Sequence, residues 1–501
     1  MVFSKKSDIC IILLLFVAFN LCSQDWIEWQ EIFASDGEIN DKFGISVSIE
    51  VDIAAAGAFF DNDSTGAVYL FQRIGDQWEE QQKLIPSDAE IGDKFGASVC
   101  LSGDYLAISA YGVDDIQGAV YIFQNINSVW EEQTKILASD GTFDDVFGQD
   151  IYLSNSTLVV GAPGVDVNTG AAYVFQRNGN DWEELLKLIA LDREQGDLFG
   201  MNVSMDEDYI AIAAPFDDIT ADCTGSVYIF HFENMSWIEQ DKLTHFNQTG
   251  TGPFGTSVSI SGDYVACGAF LDEGAYILSG SAYIFERNGS DWEDHVKLFA
   301  IDPIFFSFFG GNLLLAGDDL YVSASGNEYI NGFVYHFKND GNNWNELTRL
   351  CASDSTVNDG FGCSLSNYDN NLLIGAYGVG QFTGSAYLFI NEDVGVENNN
   401  LNPLSQSIYL SNHPNPFNPS TEISFLISDF IETNSAEIGI YNLKGQKVRG
   451  IPINSSTNHP INSVTWNGTD QAGKPVSSGV YYYNLNINGE TEAINKCLLL
   501  K

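Results

Sequence analysis

Short alternations of apolar and polar residues fill most of the chain. From Phe95 to Leu101, the apolar Phe95, Ala97, Val99 and Leu101 alternate with Gly96, Ser98 and Cys100, a period of two that suits a strand and not a helix. Ser102-Gly103-Asp104 reads as a tight hairpin turn, and Tyr105 to Ala110 supplies a second run. Ala119 to Phe123 makes a third strand. Trp130 to Leu137 makes a fourth, whose charged residues fit an exposed sheet edge.

The same unit recurs. Trp26, Trp78, Trp130, Trp182, Trp237, Trp292 and Trp344 are spaced by 52, 52, 52, 55, 55 and 52 residues. Each is followed at a fixed distance by a Phe-Gly pair, at Phe43, Phe95, Phe147, Phe199, Phe254, Phe309 and Phe361. Next comes a small triplet centred on Ala58, Ala110, Ala162, Ala214, Ala269, Ala324 or Ala376. A Gly-x-x-Tyr-x-Phe run closes the unit, as in Gly66 to Phe71 and Gly225 to Phe230. The two longer units carry their extra residues between the alanine and this glycine, and an insertion confined to one point marks a surface loop. Four antiparallel strands in about 50 residues, repeated seven times, is the size of a β-propeller blade set. The series opens with a Trp-type strand at Trp26 and ends with a Tyr-type strand at Tyr387. The N-terminal strand should therefore complete the seventh blade and close the ring.

After Phe389 the repetition stops. Residues 392–407 are polar, Asn-rich and aperiodic and read as a linker. Over residues 408–501, short runs such as Glu422 to Ile427, Ala436 to Leu443, Asn462 to Gly468 and Gly479 to Ile487 predict a compact, immunoglobulin-like β-sandwich. The expected fold class is all-β: a seven-bladed propeller over residues 24–391 and a small C-terminal sandwich. At the start, Lys5 and Lys6 precede an apolar run from Ile9 to Leu21, too short to span a bilayer and of the length of a signal-peptide core. Residues 1–23 are read as that signal peptide, which leaves an exported mature chain with no membrane-spanning segment. Cys22 lacks the small residues expected before a lipoprotein cysteine, so no lipid anchor is expected.

Charge narrows the partners. A formal net charge of −47 repels nucleic acid and anionic membranes and favours cations and basic partners. Cys100, Cys223, Cys267, Cys351, Cys363 and Cys497 remain after cleavage and show no CxxC spacing, so neither a zinc ribbon nor a redox pair is supported. Cys351 with Cys363 is the first disulfide to test; buried free thiols are the alternative.

The Phe-Gly pairs and the Gly161-Ala162-Pro163 triplet resemble the FG-GAP repeats of the integrin α-subunit propeller, and more closely those of bacterial secreted FG-GAP repeat proteins, over residues 26–390. Integrin repeats carry an Asp-x-Asp-x-Asp-Gly calcium loop just before the triplet. Here short turns such as Ser102 to Asp104 and Ser261 to Asp263 hold that place and offer too few oxygens for the six to eight that calcium takes. The family's calcium ligands are not carried over. The tail, through His413 to Thr421, Ile440 to Val448, Trp466 to Tyr483 and Lys496 to Lys501, resembles the C-terminal sorting domain of the type IX secretion system of Bacteroidetes-like Gram-negative bacteria. That resemblance assigns the sorting signal to Pro414, Asn415, Pro416, Gly445, Trp466, Gly468, Gly479, Lys496 and Lys501. It makes the secretion machinery a partner of the tail and implies a secreted or cell-surface protein.

Catalytic chemistry is not prominent. His231, His245, His295, His336, His413 and His459 are scattered, and there is no HExxH, G-x-S-x-G or phosphate loop. The acidic loops before Phe-Gly are the sharper signal. Asp36 and Asp41, Asp88 and Asp93, Asp140 and Asp145, Asp192 and Asp197, and Asp354 and Asp359 sit there at a spacing of five. Asn247 and Gly252, then Asp302 and Ser307, break the pattern. These pairs read either as turn caps or as calcium ligands; no other cofactor is called for. In a four-stranded meander the loops before strand one and between strands two and three share a face. The second set adds Asp61, Asp63, Asp114, Asp115, Asp166, Asp217, Asp218, Asp222, Asp272 and Glu273 to that face. By the integrin resemblance this is the ligand-binding face, suited to a basic or cation-bridged partner. Recurring aromatics such as Trp78 and Tyr121 fit blade packing better than a sugar platform. The expected function is a monomeric, non-catalytic binding or adhesion module for an extracellular protein or glycan. The alternative is a polysaccharide-active enzyme or a carbohydrate-binding partner of one.

Overall fold

A computed structural model describes residues 26–217, 224–245, 253–272, 278–301, 306–326, 331–391, 410–413, 420–426, 436–442, 444, 446–453, 461–487 and 490–499. The segments read from sequence as a signal peptide and a linker, residues 1–23 and 392–407, lie outside them. The chain divides into two compact units, Met1–Gly395 and Val396–Lys501.

The first unit is a seven-bladed β-propeller of four-stranded antiparallel sheets. Its first strand, β1 (Trp26–Ile32), belongs to the last blade. There it pairs with Ser385–Asn391, outside Asn371–Ala376 and Phe361–Tyr368. Blade 1 follows as β2 (Ser46–Glu50), β3 (Ile53–Ala58), β4 (Ala67–Ile74) and β5 (Gln77–Leu84), and the later blades repeat it. The seam therefore closes as the repeat phase predicts.

In blades 1 to 5 the innermost strands are shorter than the alternation suggests: in blade 2 only Val99–Ser102 is strand. The Phe-Gly pair ahead of it clasps the neighbouring blade instead. Phe95 N donates to Thr65 O at 3.0 Å and Lys94 N to Ser64 O at 2.9 Å, and Phe95 forms an isolated parallel bridge with Gly66. Gly66 has φ +87°, and a Cβ there would lie 2.1 Å from Phe95 O, so this position requires glycine. The Phe95 ring is fully buried and packs edge-on against Tyr121 and Phe123 of its own blade. Phe43 repeats the clasp across the seam with Gly384.

Inward side chains of the innermost strands stitch the ring. Ser48, Ser204, Ser259 and Ser366 accept from the backbone N–H of Leu101, Ile260, Leu315 and Ile49 at 2.9–3.1 Å, and Cys100 Sγ accepts from Leu153 at 3.3 Å. They surround an axial cavity of about 520 Å³. Asp150 faces it; burial pushes its carboxyl up, against the pull of Val203 N–H, Ser98 hydroxyl and Ile151 N–H.

All seven outer strands carry a β-bulge at one register. In blade 1, Lys83 pairs with Tyr69, Gln82 with Leu70 and Glu80 with Phe71, leaving Gln81 unpaired. The extra residue puts Trp78, Glu80 and Lys83 on one face, though Trp78 and Lys83 are an odd number of positions apart. Trp78 enters the core with Phe43, Tyr69 and Phe71.

No disulfide joins Cys351 and Cys363, the first pair to test, and the alternative of thiols holds for both. Cys351 is buried in the core that blade 6 shares. Cys363 is a free thiol facing the channel, with Sγ donating to Gly44 O at 3.2 Å.

The second unit has two sheets: Leu410–His413, Thr421–Leu426 and Ile461–Trp466 in one, and Lys447–Pro452, Ala436–Asn442, Gly479–Ile487 and Glu490–Leu499 in the other. Ile423 and Trp466 of the first pack with Ile438, Ile440, Tyr483 and Leu485 of the second in one core, as in a small sandwich.

Candidate functional site

The Asp-pair loops and the loops between the second and third strands emerge on one face of the propeller, as the parity of the meander requires. Both members of each Asp pair are engaged, in different ways. The second member closes its own loop: Asp41, Asp93, Asp145, Asp197 and Asp359 accept the N–H of Glu38, Glu90, Thr142, Glu194 and Thr356 at 2.5–2.8 Å. Burial pushes the carboxyls of Asp41, Asp93 and Asp197 up.

The first member reaches back to its blade. Asp36, Asp88, Asp140 and Asp192 accept the hydroxyls of Tyr69, Tyr121, Tyr173 and Tyr228 at 2.7–2.9 Å. The same carboxylates hold Lys83, Lys135, Lys187 and Lys242 at 2.6–2.8 Å. Each lysine lies five residues after its tryptophan, where the bulge brings it opposite the tyrosine. The lysine hydrogen bond holds Asp36 and Asp140 below the usual carboxylate range. In Asp88 and Asp192 burial pulls upward, and the lysine and tyrosine outweigh it. Glutamates of the outer strands complete the clamp: Glu80, Glu132 and Glu184 accept from both the backbone and the hydroxyl of Ser35, Ser87 and Ser139 at 2.7–2.9 Å.

In blades 1 and 4 a second, buried carboxylate joins the lysine, Asp61 at 2.7 Å and Asp217 at 2.6 Å; in blade 5, which lacks the Asp pair, buried Asp272 holds Lys297 at 2.7 Å. Blades 2, 3 and 7 place Val113, Val165 and Val379 at that register. Asp218, Asp222, Glu273 and Asp302 lie outside the described residues.

This donor set does not fit calcium. One carboxylate of each described pair is bound to backbone, and in four of the five pairs the other is neutralised by a lysine, where calcium needs several convergent oxygens. Among the described residues no group of three or more His, Cys, Asp or Glu side chains is placed to hold a metal ion. The described histidines sit in separate surroundings: His231 stacks on Tyr209, His295 meets Glu286 at 3.1 Å, and His336 meets Asp319 at 2.7 Å while accepting from Trp26 Nε1 at 3.3 Å.

Beside exposed polar residues, four of the five clamped loops present an apolar tip outward. Ile39, Ile91, Phe143 and Val357, each between the two aspartates of a pair, are 60%, 76%, 72% and 48% exposed. They occupy the adjoining blades 1, 2, 3 and 7. The third residue of four of the small triplets adds half-exposed rings at Phe59, Tyr111, Phe270 and Tyr377. Two lysines lie over such rings: Lys42 is 4.5 Å from Phe60 and 5.5 Å from Tyr377, and Lys94 is 4.5 Å from Tyr111. Between blades 5, 6 and 7 a cavity of about 340 Å³ is lined by Phe270, Phe308 and Tyr377 with Ser325 and Asn358. The sequence pattern located the acidic loops; it missed the lysines, though their constant distance from the tryptophan was a readable signal, and it missed the apolar tips.

In the second unit, Trp466 is fully buried and donates to Thr469 O at 2.9 Å. Gly468 takes φ +64° in the turn that follows it. Gly479 opens the strand Gly479–Ile487, and Lys496 pairs with Tyr482 in the last strand. Pro414, Asn415, Pro416, Gly445 and Lys501 lie outside the described residues.

Fold and repeat chemistry together define a β-propeller of Phe-Gly units. The chain belongs to the FG-GAP repeat family, whose model matches residues 26–71, 78–123, 130–175, 182–230, 237–285 and 344–389. The sixth unit, outside these segments, still folds as a blade. Comparison with curated proteins finds no match. Among solved structures, the β-propeller domain of the trilobed protease from Pyrococcus furiosus is similar at 10% identity and TM-score 0.38, over 66% of this chain and 90% of that one. A structure from a study of two prolyl endopeptidases is similar at 13% identity and TM-score 0.43, over 77% of this chain and 54% of that one. At these values neither bears on the chemistry of this chain.

Proposed function

We propose that the protein is an exported, non-catalytic binding module that engages an extracellular partner through the loop face of its propeller. The exposed apolar tips Ile39, Ile91, Phe143 and Val357 carry this reading. They recur at one register of four adjoining blades, and repeated large apolar side chains in water mark an interaction surface. The carboxylates around them are committed to holding the loops, so their role is scaffolding and field rather than acid-base chemistry. Export rests on the apolar run at Ile9 to Leu21 and on the tail's resemblance to a type IX sorting domain. Removing residues 408–501 should retain the propeller inside the cell envelope, seen by fractionation. The binding reading is tested by arraying the mature protein on extracellular matrix proteins and glycans beside an Ile91→Ser/Phe143→Ser variant. Ligands held by the native face should be lost by the variant, and undiminished binding would overturn the reading.

The cavity between blades 5, 6 and 7 favours a second reading, a neutral glycan. Three aromatic rings with an amide and a hydroxyl suit the apolar face and hydroxyl rim of a sugar. Tyr377→Ala should then weaken glycan binding and spare protein ligands.

A further inference from the structure

The seventh blade reverses a charge that the others keep. At the register opposite the buried tyrosine, blades 1 to 6 carry Lys83, Lys135, Lys187, Lys242, Lys297 and Arg349. Blade 7 takes its outer strand from the N-terminus, and Glu31 stands opposite Tyr387. Asp354 still accepts the Tyr387 hydroxyl at 3.0 Å, as its counterparts do in other blades, but no lysine or arginine among the described residues is paired with it. Glu31 accepts the Ser385 hydroxyl at 2.6 Å. Glu28, on the same strand, accepts from Ser353 N at 2.6 Å and Ser353 Oγ at 2.9 Å. That contact repeats the serine clamp of Glu80, Glu132 and Glu184, so the change in blade 7 is Glu31, which stands beside Asp354 where four other blades hold an ammonium against the equivalent aspartate. Exposed Val357 lies in the same loop as Asp354, and exposed Ile39 in the loop of the next blade.

We propose that the seam between blades 7 and 1 docks a basic polypeptide segment, one lysine or arginine of which enters between Asp354, Tyr387 and Glu31. There it takes the position that the chain's own lysines fill in blades 1 to 4. The internal repeats show what this geometry holds: Asp36, Asp88, Asp140 and Asp192 each bind an amine at 2.6–2.8 Å beside the same tyrosine. Charge complementarity selects a cationic partner, and Val357 and Ile39 select apolar side chains flanking its basic residue. The inference rests on the loop face being the binding face.

The test uses the mature chain and a fluorescent peptide of Lys-Val-Gly triplets, with a Glu-Val-Gly peptide as control. The native protein should bind the basic peptide, more weakly as salt rises, and not the acidic one. Glu31→Lys restores the ion pair of the other blades. It should weaken binding about tenfold or more while raising the melting temperature, a pairing that damage to the fold would not produce. Glu31→Gln should weaken binding less. If both peptides bind alike, if neither binds, or if Glu31→Lys leaves affinity unchanged, the seam proposal fails. Should Ile91→Ser/Phe143→Ser weaken the peptide while Glu31→Lys does not, the loop face stands and the seam falls. Should neither variant matter, both readings fall.

Discussion

Blades 1 and 2 share nearly every residue of the repeat but solve one problem differently. In blade 1 the lysine Lys83 bridges Asp36 at 2.8 Å and the buried Asp61 at 2.7 Å. In blade 2, Lys135 has Asp88 alone, at 2.7 Å, and buried Val113 stands where Asp61 does. The backbone of the two loops is nearly the same: Asn62 and Asp63, like Asp114 and Asp115, both take left-handed φ of 49° to 58°. The loop is therefore fixed by its backbone path and its clasp on the next blade, and the register accepts either an ion pair or an apolar contact. A buried ion pair is a substitute for packing here, not an addition to it.

The feature common to both blades should matter most. Phe95→Ala removes a fully buried ring from the clasp and should cost about 3–5 kcal/mol, read as a fall in the urea midpoint; Phe43→Ala should match it. Next, Lys83→Met strands the buried Asp61 and should cost about 2–4 kcal/mol, whereas Lys135→Met, beside a half-exposed Asp88, should cost only about 0.5–1 kcal/mol. Equal costs would mean that the second carboxylate contributes nothing distinctive. Asp61→Val recasts blade 1 as blade 2 and should stay within about 1 kcal/mol of the native protein.

Titration sharpens the same contrast. Asp140, lowered by Lys187, contributes stability that is complete above the unfolded Asp value, roughly pH 4, and is lost as pH falls through its lower folded value. Asp41, Asp93 and Asp197, raised by burial, act in the opposite sense: they favour the fold at low pH and lose that as pH rises through their raised values. Asp140→Asn should therefore flatten the acid limb of the melting temperature below roughly pH 4, and an unchanged limb would contradict the assigned ion pair. The smallest effect belongs to the tips: Ile91→Ser should shift stability by under about 0.5 kcal/mol and change binding only.

Blade count, strand order and closure were legible because every unit repeats its tryptophan, Phe-Gly pair and tyrosine at fixed distances. A single phase offset, Trp26 before the first Phe-Gly, was enough to place β1 in the last blade. The bulge at Gln81 was not legible, since one unpaired residue leaves no mark in composition, and without it Lys83 appears to face away from Tyr69. For that reason the lysine partners of Asp36, Asp88, Asp140 and Asp192 went unseen, while Asp41, Asp93, Asp145, Asp197 and Asp359 cap their own loops, as the turn reading has it. The short innermost strands were missed for a related cause: Phe95 satisfies the alternation, but its backbone N–H bonds to Thr65 O of the previous blade, as that of Lys94 does to Ser64 O.

Closure by β1 also orders events in time. Glu28 and Ser353 meet across 325 positions of sequence, so the first part of the propeller to be synthesised is the last to find its partner. Until the seventh blade is complete, β1 stays an unpaired strand and the ring keeps an open sheet edge. Any factor that captures β1 early would hold the whole propeller open.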